Sequence, residues 1–369
     1  MNLPDLIGQL TTRHKAIAAA VAAVVVVAGV AGSWVALASS DSKPKSTPSP
    51  VALAPTTTAS PTPKPTPKPT PRPKPRPALV NPLTGIGAPV KGPVVAVKIN
   101  DTSVGAAQVG IDQADIVYIE QVEAGLTRLI AVYDTKKPIV GPVRSVRASD
   151  IELLSQYGAI TIAASGGGGD SLPTLDRSIL KSTINDRGGP GFFRDDNRQA
   201  PYNLMLNLAQ TSGLGGAAAK SIGWTWARSA AGIAGARGGT SLQTQVGGTQ
   251  VAFRWNTSLK RYLRYVGGSP QSAASGAPVA TPNVIVQYCQ GYTNYQDIDV
   301  VGNPGHYTKS IGRGRVSIFR NGIRIDGTWS RPTLASGTTF RDAKGHIIPL
   351  APGGAWVVMT ENGKPLTSG

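Results

Sequence analysis

The chain is poor in the residues that carry most metal and nucleophile chemistry. It has one cysteine, Cys289, in 369 residues. That excludes an intramolecular disulfide, a cysteine-ligated zinc site and an iron–sulfur cluster. Three histidines, His14, His306 and His346, leave little for a histidine metal centre, and no Ser-His-Asp or Cys-His set can be assembled. No cofactor and no metal are therefore expected. Acidic residues are also scarce: 20 Asp and Glu face 37 Lys and Arg, for a formal charge of +17. The basic residues are not interleaved with aromatics, which argues against a nucleic-acid partner. What is present is a 40% apolar fraction, enough for a true core, so wholesale disorder is excluded. Gly 44 and Pro 30 make up a fifth of the chain and point to many turns and a low-complexity stretch.

Residues 16–38 hold no charge, and Arg13 and Lys15 stand just before them. As a helix rising 1.5 Å per residue, this run is long enough for a hydrocarbon core of ~30 Å. Two readings compete. A cleaved signal peptide would use Ala36-Leu37-Ala38 before Ser39, but its apolar region is normally shorter. The length favours an uncleaved transmembrane signal anchor, with 1–15 as a short cytoplasmic tail and the rest extracytoplasmic. With no cysteine nearby, lipid attachment to an N-terminal cysteine is excluded. Residues 39–79 follow as a disordered stalk with 13 prolines, a composition that favours an extended, semi-rigid spacer. Nine basic and two acidic residues in 1–79 account for +7 of the charge. They either keep the stalk solvated or draw it to anionic lipid or wall polymer, at ~1 kcal/mol per charge near such a surface.

The globular part begins near residue 80. Strands are expected at 93–100, 114–123 and 127–134, the last two as a hairpin around Ala124-Gly125-Leu126. Residues 145–157 read as a helix, 159–164 as a buried strand, and helices are expected from 171 and over 201–210. Without a steady βαβ rhythm the class is α+β, with a mixed sheet in an N-terminal domain at 80–215. A Gly/Ala-rich connection covers 216–240. Residues 241–369 read as a mainly antiparallel β domain, a small sandwich or barrel-like sheet, with a hairpin turn at Asn321-Gly322.

The densest polar residues lie in the first half. Glu120, Glu123 and Asp150 are the candidate catalytic carboxylates, since acid–base work needs two carboxyl groups in one cleft with separated pKa values. Strand alternation sets Glu120 and Glu123 on opposite faces unless a bulge intervenes. Arg128, Arg144 and Arg147 are candidate anion ligands, with Arg198 and Asn203 from a second polar loop. Spaced i, i+3, Arg144 and Arg147 would share one side of a helix start; alternatively the arginines brace the fold against Asp115, Glu120 or Asp150. Gly166–Gly169 is either a cradle for a phosphate or carboxylate or a plain loop, and it lacks the Lys-Ser/Thr ending of a nucleotide loop.

Several motifs in order resemble one family. Asn81-Pro-Leu-Thr-Gly85, Ala114-Asp-Ile-Val-Tyr118, Glu123-Ala-Gly-Leu-Thr-Arg128, Gly141-Pro-Val-Arg-Ser-Val-Arg147 and Arg198-Gln-Ala-Pro-Tyr-Asn203 look like the YerB-like lipoprotein family, domain of unknown function 3048. Asn283-Val-Ile-Val-Gln287, Phe319-Arg-Asn-Gly322 and Gly327-Thr-Trp329 resemble its C-terminal partner domain. The resemblance covers roughly residues 80–358. It implies an extracytoplasmic envelope protein and no particular activity. The expected function is a membrane-anchored cell-envelope module that binds an anionic cell-wall polymer or a wall-processing protein. The alternative is a glycan- or peptide-processing hydrolase using Glu120 or Glu123 with Asp150.

Overall fold

Stretches dense in β-branched residues pair into one large mixed sheet, because their apolar side chains can fill both of its faces. The first half supplies β1 (Val95–Asn100), β2 (Ile116–Gln121), β3 (Thr127–Tyr133), β4 (Thr161–Ala164) and β5 (Lys181–Ile184). The second half supplies β6 (Arg237–Gly238), β7 (Asn283–Cys289), β8 (Gly312–Arg320), β9 (Ile323–Arg331), β10 (Thr339–Asp342) and β11 (Ala355–Glu361). Their order in space is β10-β9-β8-β7-β11-β2-β3-β1-β4-β5, with β6 on β9. The seam between the halves is a parallel pair, β2 with β11, from Ile116 opposite Ala355 to Ile119 opposite Val358. This computed structural model describes residues 79–101, 107–299 and 301–369. The membrane segment expected at 16–38 and the stalk to residue 78 lie outside the described residues. Among the described residues no helix is long and apolar enough to cross a membrane.

Each face of the sheet is covered. On one face lie helices α1 (Ala148–Leu154) and α2 (Ser171–Asp176), packed with Ile222 and Trp224 from the Gly/Ala-rich connection. On the other lies a smaller antiparallel sheet built from 241–246, 249–256 and 261–266, with short strands at its edges. Its first strand alternates buried and exposed residues, as one-sided packing requires. Phe253 meets Trp356 edge to face at 5.7 Å, closing the second core. The class is thus α+β: mixed pairing in the first half, mainly antiparallel pairing in the second, and few helices.

Local signals account for several elements. The β2–β3 hairpin forms with Gln121 opposite Thr127. Asn321 and Gly322 both take positive φ, 52° and 75°, in the two-residue turn joining β8 to β9. One expectation fails. Residues 201–210 are not a helix: Leu204–Asn207 is a strand, followed by a 3-10 turn at Leu208–Leu214. Leu204, Met205 and Leu206 are all buried between two strands, and periodicity cannot separate such a run from a helix segment. The helix expected from residue 171 is present as α2, and it is followed at 181–184 by a strand parallel to β4.

A β-ribbon, Gly291–Ile298 with Pro304–Thr308, reaches from the second half onto the first. It rests on the Gly166–Gly169 run. The Asp170 N–H donates to the Gln296 carbonyl at 3.0 Å, and the Ser171 hydroxyl donates to Asp297 at 2.8 Å. A Cβ on Gly168 would sit 2.7 Å from the Ile298 carbonyl oxygen. One on Gly169, whose φ is +46°, would overlap the Gln296 carbonyl. The glycines therefore give the ribbon a close approach. Gly169→Ala should cost about 1–3 kcal/mol through overlap and the left-handed backbone. Urea unfolding checks this; a variant as stable as the parent would show that the ribbon does not lie there.

Candidate functional site

A buried charge cluster underlies the site. Lys98 on β1 and Glu120 on β2 follow Ala96 and Tyr118 by two residues, so they share the helix-covered face. The Lys98 ammonium contacts the Glu120 carboxylate and donates to Asp150 Oδ1 on α1 at 2.8 Å. All three side chains are at most 1% exposed. Burial lowers the Lys98 pKa to about 8, against the pull of the Asp150 carboxylate. The second oxygen of Asp150 accepts the Arg147 N–H at 2.9 Å, satisfying one backbone donor at the start of α1.

Glu123 departs from simple alternation. The chain leaves β2 at Gln121 and makes a 3-10 turn at Glu123–Gly125, with Ala124 at φ 51°. That turn brings Glu123 to the helix side, where it forms an ion pair with Arg147. Arg147 also lies 3.8 Å from Asp297 of the ribbon. Burial raises the Asp297 pKa, and Arg147 opposes the shift.

Above this layer opens a cleft of about 440 Å³. Glu123, Arg128, Arg144 and Arg147 line it from the first half, together with Gly167 and Gly168; Asp299 and Asn303 line it from the ribbon. Arg128 stands on β3 directly opposite Glu120. Arg144 and Arg147 do not share a helix, because α1 starts only at Ala148. The preceding segment is held extended: the Arg144 N–H donates to the Lys98 carbonyl, and the Ser165 N–H donates to the Arg144 carbonyl. The Arg144 guanidinium lies over the Tyr202 ring, 5.8 Å from its centre.

The three arginines differ in their partners. Arg147 is committed to Glu123. Among the described residues, Arg128 and Arg144 form no ion pair; the Arg128 guanidinium makes one long bond, 3.4 Å, to its neighbour's carbonyl. Burial, followed by repulsion from Arg144, lowers Arg128 to about 10. Burial also lowers Arg144. The cleft thus offers two partly desolvated guanidiniums facing open space.

The remaining candidates lie elsewhere. Glu120 and Asp150 are buried against Lys98 and do not line the cleft, so Glu123 is the one candidate carboxylate that does. Arg198 pairs with Asp195 at 3.1 Å and donates to the Ala107 carbonyl. Asn203 accepts from Arg194 at 2.7 Å. Among the described residues, no group of three or more His, Cys, Asp or Glu is placed to hold a metal ion. Sequence reasoning missed Lys98 and Asp299. The signal for Lys98 was a single charge inside the apolar run VAVKIN. Asp299 reaches the cleft only through the ribbon, which no local pattern announces.

Residues 83–222 match the family described as "Protein of unknown function (DUF3048) N-terminal domain", and 241–357 match its C-terminal domain. The chain is similar to "Putative lipoprotein YerB" of Bacillus subtilis, 24% identical over 294 residues, covering 75% of this chain and 84% of that protein. Its fold is similar to the crystal structure of the YerB protein from Bacillus subtilis, with a TM-score of 0.65 at 19% identity, over 79% of this chain and all of that one.

Replacing Lys98 by methionine would leave Glu120 and Asp150 buried without their cation. We expect a loss of about 3–5 kcal/mol, the usual effect of breaking a buried pair from one side. Thermal and denaturant unfolding measure it, and a loss below about 1 kcal/mol would mean the carboxylates find water instead.

Proposed function

We propose a function from one premise: the chain belongs to the DUF3048 family, both of whose domains it carries. It acts as an anion-binding module of the bacterial cell envelope, tethered to the membrane through residues 16–38 and facing outward on its proline-rich stalk. Its ligand is a carboxylate or phosphate group of a cell-wall polymer, or of a protein that processes the wall. The similarity to a protein named as a lipoprotein supports the envelope setting.

The observation that carries this reading is the pair of arginines without a carboxylate. A guanidinium withdrawn from water gains most from an anion that bonds it in bidentate fashion. Arg128 and Arg144 stand in one cleft, and Arg147 is already neutralised. Glu123, Asp186 and Asp299 also line the cleft and limit its net positive charge, so it suits one anionic group of a polymer at a time. They favour isolated phosphodiester or carboxylate groups. The hydrolase alternative has less behind it, since two of its three carboxylates are buried against Lys98.

Arg128→Met and Arg144→Met keep the side-chain stem and remove the charge. Each should weaken binding of purified teichoic acid about tenfold or more, at nearly unchanged melting temperature, because no carboxylate is stranded. Arg147→Met should instead lower the melting temperature by leaving Glu123 buried without its partner. Unchanged polymer binding in both Arg128→Met and Arg144→Met would reject the proposal.

A further inference from the structure

A second pocket, of about 480 Å³, opens between α1 and α2 and shares no lining residue with the arginine cleft. Its size falls within the range of small-molecule sites. Ile151, Ile179 and Leu334 give it apolar walls. Ile179 and Leu334 are about half exposed and stand together at its mouth. The one carboxylate present, Glu152, is fully engaged: it accepts from the Tyr307 hydroxyl, the Ser310 N–H and hydroxyl, and the Ile311 N–H, all at 2.7–3.0 Å. Arg177 and Lys220 also line the pocket, are exposed, and form no ion pair among the described residues.

We propose that this pocket binds a single-chain anionic amphiphile, an alkyl chain ending in a carboxylate or phosphate. The apolar walls take the chain, and Arg177 and Lys220 take the head group. A headless hydrocarbon would leave the two cations unused, and a cationic amphiphile would be repelled by them. The protein's own stalk is excluded as occupant by the same charge argument. Seven Lys or Arg against one Asp in residues 39–79 give it the sign of the two cations.

The full chain in phosphatidylcholine nanodiscs, photolabelled with diazirine-bearing hexadecanoic acid and mapped by peptide mass spectrometry, tests this. Label is expected on the peptides carrying Ile151, Ile179 and Leu334. It should fall about tenfold in Ile179→Glu/Leu334→Glu, which places charge beside the chain at two exposed positions. Arg177→Glu/Lys220→Glu should lose the acid label and gain the label of an amine-ended probe. Hexadecyl phosphate should compete with the acid if the head-group site accepts either anion, and failure to compete would narrow the class to carboxylates. Labelling confined to residues 1–78, undiminished labelling in Ile179→Glu/Leu334→Glu, or equal labelling by the amine-ended probe would each overturn the proposal.

Discussion

The contact between Lys98, Glu120 and Asp150 holds α1 on the sheet beside the cleft. It ties the centre of the sheet to α1 with charges that are almost wholly withdrawn from water. Such a cluster adds little net stability over an apolar packing of the same volume, because desolvation consumes most of the attraction. What it sets is position. A shift of α1 by one residue would leave an uncompensated charge in the core. With α1 fixed, the extended segment before it is fixed too, and that segment carries Arg144 and Arg147 to the cleft.

The cleft is shared between the two halves of the chain. The first half supplies the guanidiniums, and the second lays a ribbon across them on a floor of glycine. Asp297 and Asp299 arrive with the ribbon, so the charge of the cleft depends on the docking of one half against the other. The continuous sheet makes that docking rigid, because β2 and β11 are hydrogen-bonded neighbours. Several polar residues of the first half serve this frame. Asn81 donates to Asp134 at 2.6 Å and accepts two backbone N–H groups. Asp115 accepts the N–H groups of Asp134 and Thr135. Arg128 and Arg144 differ from these residues in forming no ion pair among the described residues.

Much of the fold could be read from local pattern. β-branched runs marked β1 to β4, a glycine-containing loop marked the first hairpin, and Asn321-Gly322 marked the turn of the second. The failures share a physical cause. A short strand buried on both faces, such as Leu204–Asn207, has no period to read. The parallel seam joins residues some 240 positions apart, from Ile116–Ile119 to Ala355–Val358, and nothing local encodes it. The gathering of Glu123 with the arginines was visible only as a possibility of broken alternation, since it depends on a left-handed alanine at position 124. The arginines themselves were legible as a dense cluster, but not which of them lacked a partner.

Under the proposed function, Arg128 and Arg144 are held without a carboxylate so that they can meet an anion. The most direct measurement is a crystal structure grown with selenate and read by its anomalous signal. A selenium peak is expected in the cleft, with the selenate oxygens within hydrogen-bond reach of both guanidiniums. A cleft without that peak, in which Arg128 and Arg144 turn to Asp186 or Asp299 instead, would contradict it.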